Sequence, residues 1–201
     1  LYIKNNGNVS LGNTNPTERL DVVGNGKFSG TVTAGLNIIA NGVTFGRGGG
    51  TGANNTVVGL NALALNTLGS NNSVIGLSAL LANTTGSNNI AKGVNSGRFI
   101  SNGANATNSS NSVFLGVDTR ALGDGQTNQI VIGHTAIGAG SNTVTLGNTA
   151  ITNTILRGAV SFAQFTTATE PAYVKGAQFF NTTLDKMRIG GATAYETVTS
   201  S

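Results

Sequence analysis

The sequence predicts an all-β, elongated fold of stacked coils, and three observations carry that expectation. The first is an internal repeat. Glycines at Gly59, Gly76, Gly93, Gly116, Gly133 and Gly147 each follow an asparagine by five residues, at Asn54, Asn71, Asn88, Asn111, Asn128 and Asn142. An aliphatic residue directly precedes the glycine at Val58, Ile75, Leu115, Ile132 and Leu146, with Lys92 the exception. A small residue follows by three at Ala62, Ala79, Ser96, Thr119, Ala136 and Ala150. The second observation is residue type. Val57-Val58, Val74-Ile75 and Ile130-Val131-Ile132 suit a pleated, half-buried strand, and Gly-Ser-Asn at 69–71, 86–88 and 140–142 supplies turns. The third is a lean composition: charged residues are 9%, hydrophobic residues 38%, tryptophan is absent, and 30 of 201 residues are glycine. A thin rod of such a chain exposes apolar surface that it needs to bury, and association of three identical chains around one axis is the economical remedy.

The steps between glycines are 17, 17, 23, 17 and 14 residues. A unit of that length does not fold alone, but stacked units cover one another's apolar faces. Each unit is expected to hold two short strands and two turns. At ~4.8 Å per rung, six rungs span ~30 Å. A disordered Asn/Gly/Ser/Thr linker would not keep an aliphatic residue at a fixed offset from a glycine.

Three segments follow from this reading. Residues 1–50 form a strand-rich N-terminal shaft. Within it, Gly7 to Gly12 resembles half a repeat, Pro16 sets a turn, and Leu20–Val23, Lys27–Ala34 and Leu36–Phe45 read as strands. Gly46-Arg47-Gly48-Gly49-Gly50 reads as a flexible joint before the repeats. Residues 51–157 hold the repeats. The residue after each glycine is apolar in four copies, Leu60, Leu77, Val94 and Val117, so this position is expected to point inward or toward a three-fold axis. His134 occupies it in the fifth copy. Three imidazoles meeting on an axis would make a metal or anion site, but the preferred reading is a packed or solvent-facing histidine. The third copy carries six extra residues. They predict a loop leaving the stack at Arg98, Phe99 and Ile100, a candidate receptor contact, with an Asn-rich tail from Asn102 to Asn111 that is expected to be mobile. The alternative is that Phe99 and Ile100 pack on a neighbouring subunit.

Residues 158–201 hold six of the eleven aromatics. Ser161–Thr169 reads as a strand broken by Glu170-Pro171. Three short strands then follow around 176–183, 185–191 and 194–198. The aromatic cluster is read as the core of a C-terminal cap. Exposed as a platform for sugar rings instead, Tyr173 and Tyr195 would be receptor contacts.

Three stretches resemble known families. Leu11 to Ala34, LGNTNPTERLDVVGNGKFSGTVTA, is similar to a segment of bacteriophage tail fibres and related contractile-injection fibres. The resemblance implies a trimeric, intertwined β fibre and no catalytic residue. Val58-Gly59-x-x-Ala62, Ile75-Gly76-x-x-Ala79, Ile132-Gly133-x-x-Ala136 and Leu146-Gly147-x-x-Ala150 resemble the heads of trimeric autotransporter adhesins, which implies left-handed parallel β-rolls, three per trimer. The copy at 88–110 departs from that pattern, with six extra residues and with Lys92 in the aliphatic place, which is expected to pack inward. The run from Gly176 to Glu196 is similar to an end module of phage tail fibres, which implies a small trimeric β cap.

Several functions find no support in the chain. There is one histidine and no cysteine, so thiolate metal sites and Cys/His catalysis are excluded. The net charge of +4 comes from eleven scattered Lys and Arg against seven acids, without the clustering that nucleic-acid binding needs, although weak attraction to anionic surface glycan is compatible with it. No apolar run approaches a membrane helix. Nothing marks Glu18 with Asp21, or Asp118 with Asp124, as a glycosidase pair. The expectation is therefore a non-enzymatic, cofactor-free homotrimeric tail fibre on an extracellular virion tail, joined to an upstream tail, baseplate or fibre protein and gripping a bacterial surface glycan or protein. Nucleic acid and membrane insertion have no part in it. The alternative is an autotransporter-type surface adhesin, and further behind a polysaccharide-degrading tail spike.

Overall fold

The computed structural model describes residues 2–4, 9–11, 20–22, 38–41, 43–170, 177–190 and 194–197. The Asn15–Arg19 turn and the Lys27–Ala34 strand of the sequence reading lie outside them. Among the described residues the regular structure is β, apart from one 3₁₀ turn at Thr167–Thr169. The chain divides into two compact units, Leu1–Ile151 and Thr152–Ser201.

The first unit opens with three short strands. Strand β1 (Tyr2–Ile3) pairs antiparallel with β2 (Val9–Leu11), which pairs parallel with β3 (Leu20–Val22). An eight-stranded sheet follows. Its parallel part is β6 (Thr56–Gly59), β7 (Ser73–Ile75), β8 (Ile90–Lys92), β9 (Val113–Leu115), β10 (Ile130–Ile132) and β11 (Val144–Leu146), one strand per repeat in sequential order. Thr56 pairs with Ser73, and Ser73 with Ile90, so register equals the repeat step. This is a β-solenoid. The other side of each coil is not a regular strand as expected. It is irregular backbone joined by isolated bridges such as Ile100–Ala121 and Arg120–Ile137. The hairpin of β4 (Ile38–Ala40) and β5 (Val43–Gly46) runs antiparallel onto β6 and covers that edge of the sheet.

The repeat motif has a direct physical cause. Each asparagine five residues before a glycine sits in the left-handed region, with φ between 52° and 63°, where Asn is tolerated better than most residues. From Asn54 to Asn111 these side chains form an outer ladder, with Nδ2 donating to the next Oδ1 at 3.3, 3.1 and 3.0 Å. The glycines stack on one another with φ of +129° to +154° in the first five copies. A Cβ on Gly59, Gly76 or Gly93 would press into the carbonyl oxygen of the glycine one coil on, so the column admits no side chain.

The core is a single file of residues. Val57, Val74, Ala91, Phe114 and Val131 point inward from the strand centres, backed by Ala62, Ala79, Ala136, Leu63, Leu80 and Ala121. Two expectations are corrected here. The aliphatic place before the glycine faces outward: Ile75, Lys92 and Leu146 are exposed, while Val58, Leu115 and Ile132 are half-buried. Strand alternation makes the residue one earlier the core residue, so Lys92 disturbs nothing inside. The place after the glycine also turns out of the coil, because the glycine ends the strand, so of its two expected directions the inward one is corrected. The Gly46–Gly50 joint is corrected as well. Gly49 N donates to Leu63 O at 3.0 Å and Thr51 N to Thr67 O at 2.8 Å, so this stretch is a partial first coil.

Polar groups stay inside because they form ladders too. Asn72 Nδ2 donates to Asn55 Oδ1 and to Gly86 O, and Asn72 Oδ1 accepts from the backbone N and the Nδ2 of Asn89. Asn72 thus satisfies the coils on both sides, as burial of a polar group demands.

In the second unit, residues 152–163 are exposed, with no regular structure. A four-stranded sheet follows: β12 (Gln164–Phe165) lies parallel to β13 (Gln178–Asn181), and β14 (Lys186–Gly190) and β15 (Tyr195–Thr197) continue antiparallel. The three strands expected after Gly176 are present. Phe179 is buried and meets Phe165 edge-on at 5.5 Å. Buried Asn181 donates to Glu170 Oε1 at 2.6 Å and accepts from Leu184 N at 2.8 Å, fixing the turn into β14.

Candidate functional site

Two surfaces of the solenoid stand out, and different parts of each coil build them. The first is the outer face of the strand sheet. Alternation sends one side chain of each strand to the core and its neighbours outward. The outward set includes Ile75, Ile90, Ile130, Val144 and Leu146, all exposed. Beside it runs the column after the glycines, Leu60, Leu77, Val94 and Val117, each 38–45% exposed. His134 continues this column and is exposed. Its carbonyl accepts from Asn148 Nδ2 at 2.9 Å and Thr135 Oγ1 at 2.8 Å. Among the described residues of one chain, no group of three metal-binding side chains surrounds it.

The second surface is the insertion in the third coil. The chain leaves the coil after Gly97 and returns at Ala106. Arg98 O accepts from Ala106 N at 2.9 Å, Ile100 N donates to Ala104 O at 2.8 Å, and Phe99 bridges Asn105. The expected trailing loop is therefore a short hairpin pinned at its base. Phe99 and Ile100 are half-buried rather than exposed together, and Ile100 packs against the core. The Asn-rich tail is tied down as well, because Asp124 of the next coil accepts from Thr107 N at 2.7 Å, Thr107 Oγ1 at 2.5 Å and Asn108 N at 3.2 Å. Partial burial pushes the Asp124 carboxyl up. The hydrogen bonds from Thr107, Asn108 and the Gly125 backbone outweigh that and hold its pKa below the usual carboxylate range.

The hairpin places Phe99 between two cations. The guanidinium of Arg98 lies 4.6 Å from the ring centroid and that of Arg120 lies 5.7 Å from it, both within cation–π range. Arg98 Nη1 donates to Asn95 Oδ1 at 3.1 Å. Neither arginine is ion-paired: the one salt bridge among the described residues joins Arg188 to Glu170. Arg120 is the residue the sequence reading missed. Its signal was the register, since Arg98 stands five residues after Gly93 and Arg120 four after Gly116, in adjacent coils.

Tyr173 lies outside the described residues, and Tyr195 opens β15 in the second unit. No protein-family model, no curated protein and no solved structure matches the chain.

Proposed function

We propose that this chain is a structural, homotrimeric tail fibre of a phage or phage-like particle, whose work is attachment to a bacterial surface through a glycan or protein receptor. The observation that carries this reading is the paired apolar columns on the strand face. A monomer that leaves Ile75 42% and Leu77 45% exposed on one continuous face has apolar surface to cover, and a stacked, coil-by-coil face is matched best by another copy with the same period. The extended segment after the solenoid adds to this, with Ile151, Ile155, Leu156 and Val160 all exposed. In the proposed assembly three left-handed rolls pack by these faces, the N-terminal strands intertwine, and the C-terminal sheet forms the trimeric cap. The sequence resemblances support the tail-fibre assignment specifically. Three identical sites on one rod would turn weak contacts into firm adhesion through effective concentration.

The chain has no cysteine, so a single introduced thiol reports unambiguously. Leu77→Cys is expected to give covalently linked subunits on mild oxidation, whereas Asn71→Cys, on the asparagine edge, gives none. Fluorescently labelled chain is expected to decorate cells of a susceptible bacterium. Absence of both linkage and decoration would refute the proposal.

A further inference from the structure

We infer that the Arg98–Phe99–Arg120 cluster is an anion-recognition site for the acidic groups of a surface glycan, carboxylate or phosphate. The inference rests on the attachment reading and supplies the ligand chemistry it leaves open. Three features point to an anionic ligand. Two guanidiniums share one aromatic ring, and neither has a carboxylate partner among the described residues. In a chain where charge is this sparse, two unpaired like charges drawn to one spot repel each other until an anion joins them. The Nε atoms of both arginines are buried without acceptors, which leaves the outer Nη edges as the groups that can reach a ligand. Among the described residues the Nη atoms of Arg120 find no hydrogen-bond partner, while Arg98 is oriented by Asn95. Both guanidiniums lie against the Phe99 ring, and a planar guanidinium matches a carboxylate or phosphate with two parallel hydrogen bonds.

The site is also structurally committed. The hairpin carrying Arg98 and Phe99 is a departure from a coil that closes without it at the preceding step. It is clamped at both ends, by Ala106 to Arg98 and by Asp124 to Thr107. Arg120 arrives from the following coil. The cluster lies on the irregular side of the coils, marked by the Ile100–Ala121 and Arg120–Ile137 bridges, and not on the strands of the apolar face.

The test uses the full chain in the assembly in which it purifies, captured on a biosensor surface. Three probes of equal length are passed over it: oligogalacturonate, a phosphorylated dextran oligosaccharide and unmodified dextran. One or both anionic probes are expected to bind, with affinity falling as salt rises, and the neutral probe is not. Whichever anionic arm binds more tightly identifies carboxylate or phosphate as the source. Arg120→Gln removes no side-chain hydrogen bond among the described residues and is expected to weaken binding about ten- to a hundredfold with an unchanged Tm. Arg120→Lys is expected to recover part of it, since charge returns without the planar fork. Equal binding of the neutral probe, no binding of either anionic probe, or unchanged affinity in Arg120→Gln would each overturn the inference. Decoration of bacterial cells by a chain that ignores both anionic probes would overturn this site and leave the attachment reading intact. Binding of an anionic probe without decoration of any cell would keep the site and remove the attachment reading.

Discussion

The coils from Asn54 to Ser87 and those from Asn88 to Gly147 follow the same path with different interiors. In the first two, every polar ladder runs unbroken: Asn54 to Asn71, Asn55 to Asn72 and Asn66 to Asn83, each pair 17 residues apart. Beyond Asn88 the ladders lapse one by one. Ala106 stands where a third asparagine would follow Asn83, and Asn83 Oδ1 is left buried without a partner. Ser112 takes the place after Asn89, and Gln129 follows it with both side-chain polar atoms buried and unpaired. Core volume shifts too. Ala91 is followed by Phe114, whose ring fits because Gly97 leaves room, a Cβ there falling 2.8 Å from Phe114 Cδ2 and from Leu80 Cδ2. The later coils give up regularity and gain the hairpin with its arginines. A solenoid tolerates this because each coil answers only to its two neighbours.

That contrast can be broken at graded points. The largest effect is expected from Gly76→Ala, which puts a methyl into the Gly93 carbonyl at a left-handed φ of +138°. A loss of ~3–5 kcal/mol, measured by denaturant unfolding, is expected. Phe114→Ala should cost ~3–5 kcal/mol by emptying the widest part of the core. Asn72→Ala comes next, at ~2–4 kcal/mol, because it takes the acceptor from the buried Asn89 backbone N and Nδ2 and the donor from Gly86 O. Gln129→Leu should be neutral or stabilise by ~1 kcal/mol, since the amide it removes has no partner to lose. A large loss there would mean that the later coils are ordered by polar contacts after all.

The smallest effect concerns the hairpin clamp and pH. The Asp124 pKa is lowered on folding, so its contribution is fully present above the unfolded value of ~3.9. It is lost as pH falls through the lower folded value. Asp124→Asn should therefore melt slightly below the parent at pH 7, with the gap closing as pH falls below ~4. A gap that did not narrow with acidification would show that the clamp does not depend on the charge.

Much of this architecture was legible in the residues. The Asn-to-Gly offset marks two backbone positions of positive φ, and equal steps fix parallel register before any coordinates are known. Direction was harder to read. Val57 and Val58 are equally apolar, and only the pleat decides that Val57 goes inside. Apolar residues stand on both faces of each strand, so residue type alone made the wrong choice plausible. The insertion was legible as six extra residues but not as a hairpin, since its closure depends on Asp124 one coil away. Arg120 was hidden for the same reason: adjacency in a solenoid runs across the repeat, and the 23-residue step displaced the register.

The central claim is that one chain cannot shelter the strand face and shares it with two others. Sedimentation equilibrium of the purified full chain at micromolar concentration tests this most directly. The expected result is a single species of about three times the 20.2 kDa chain mass, and a folded, stable species of one chain mass would contradict it.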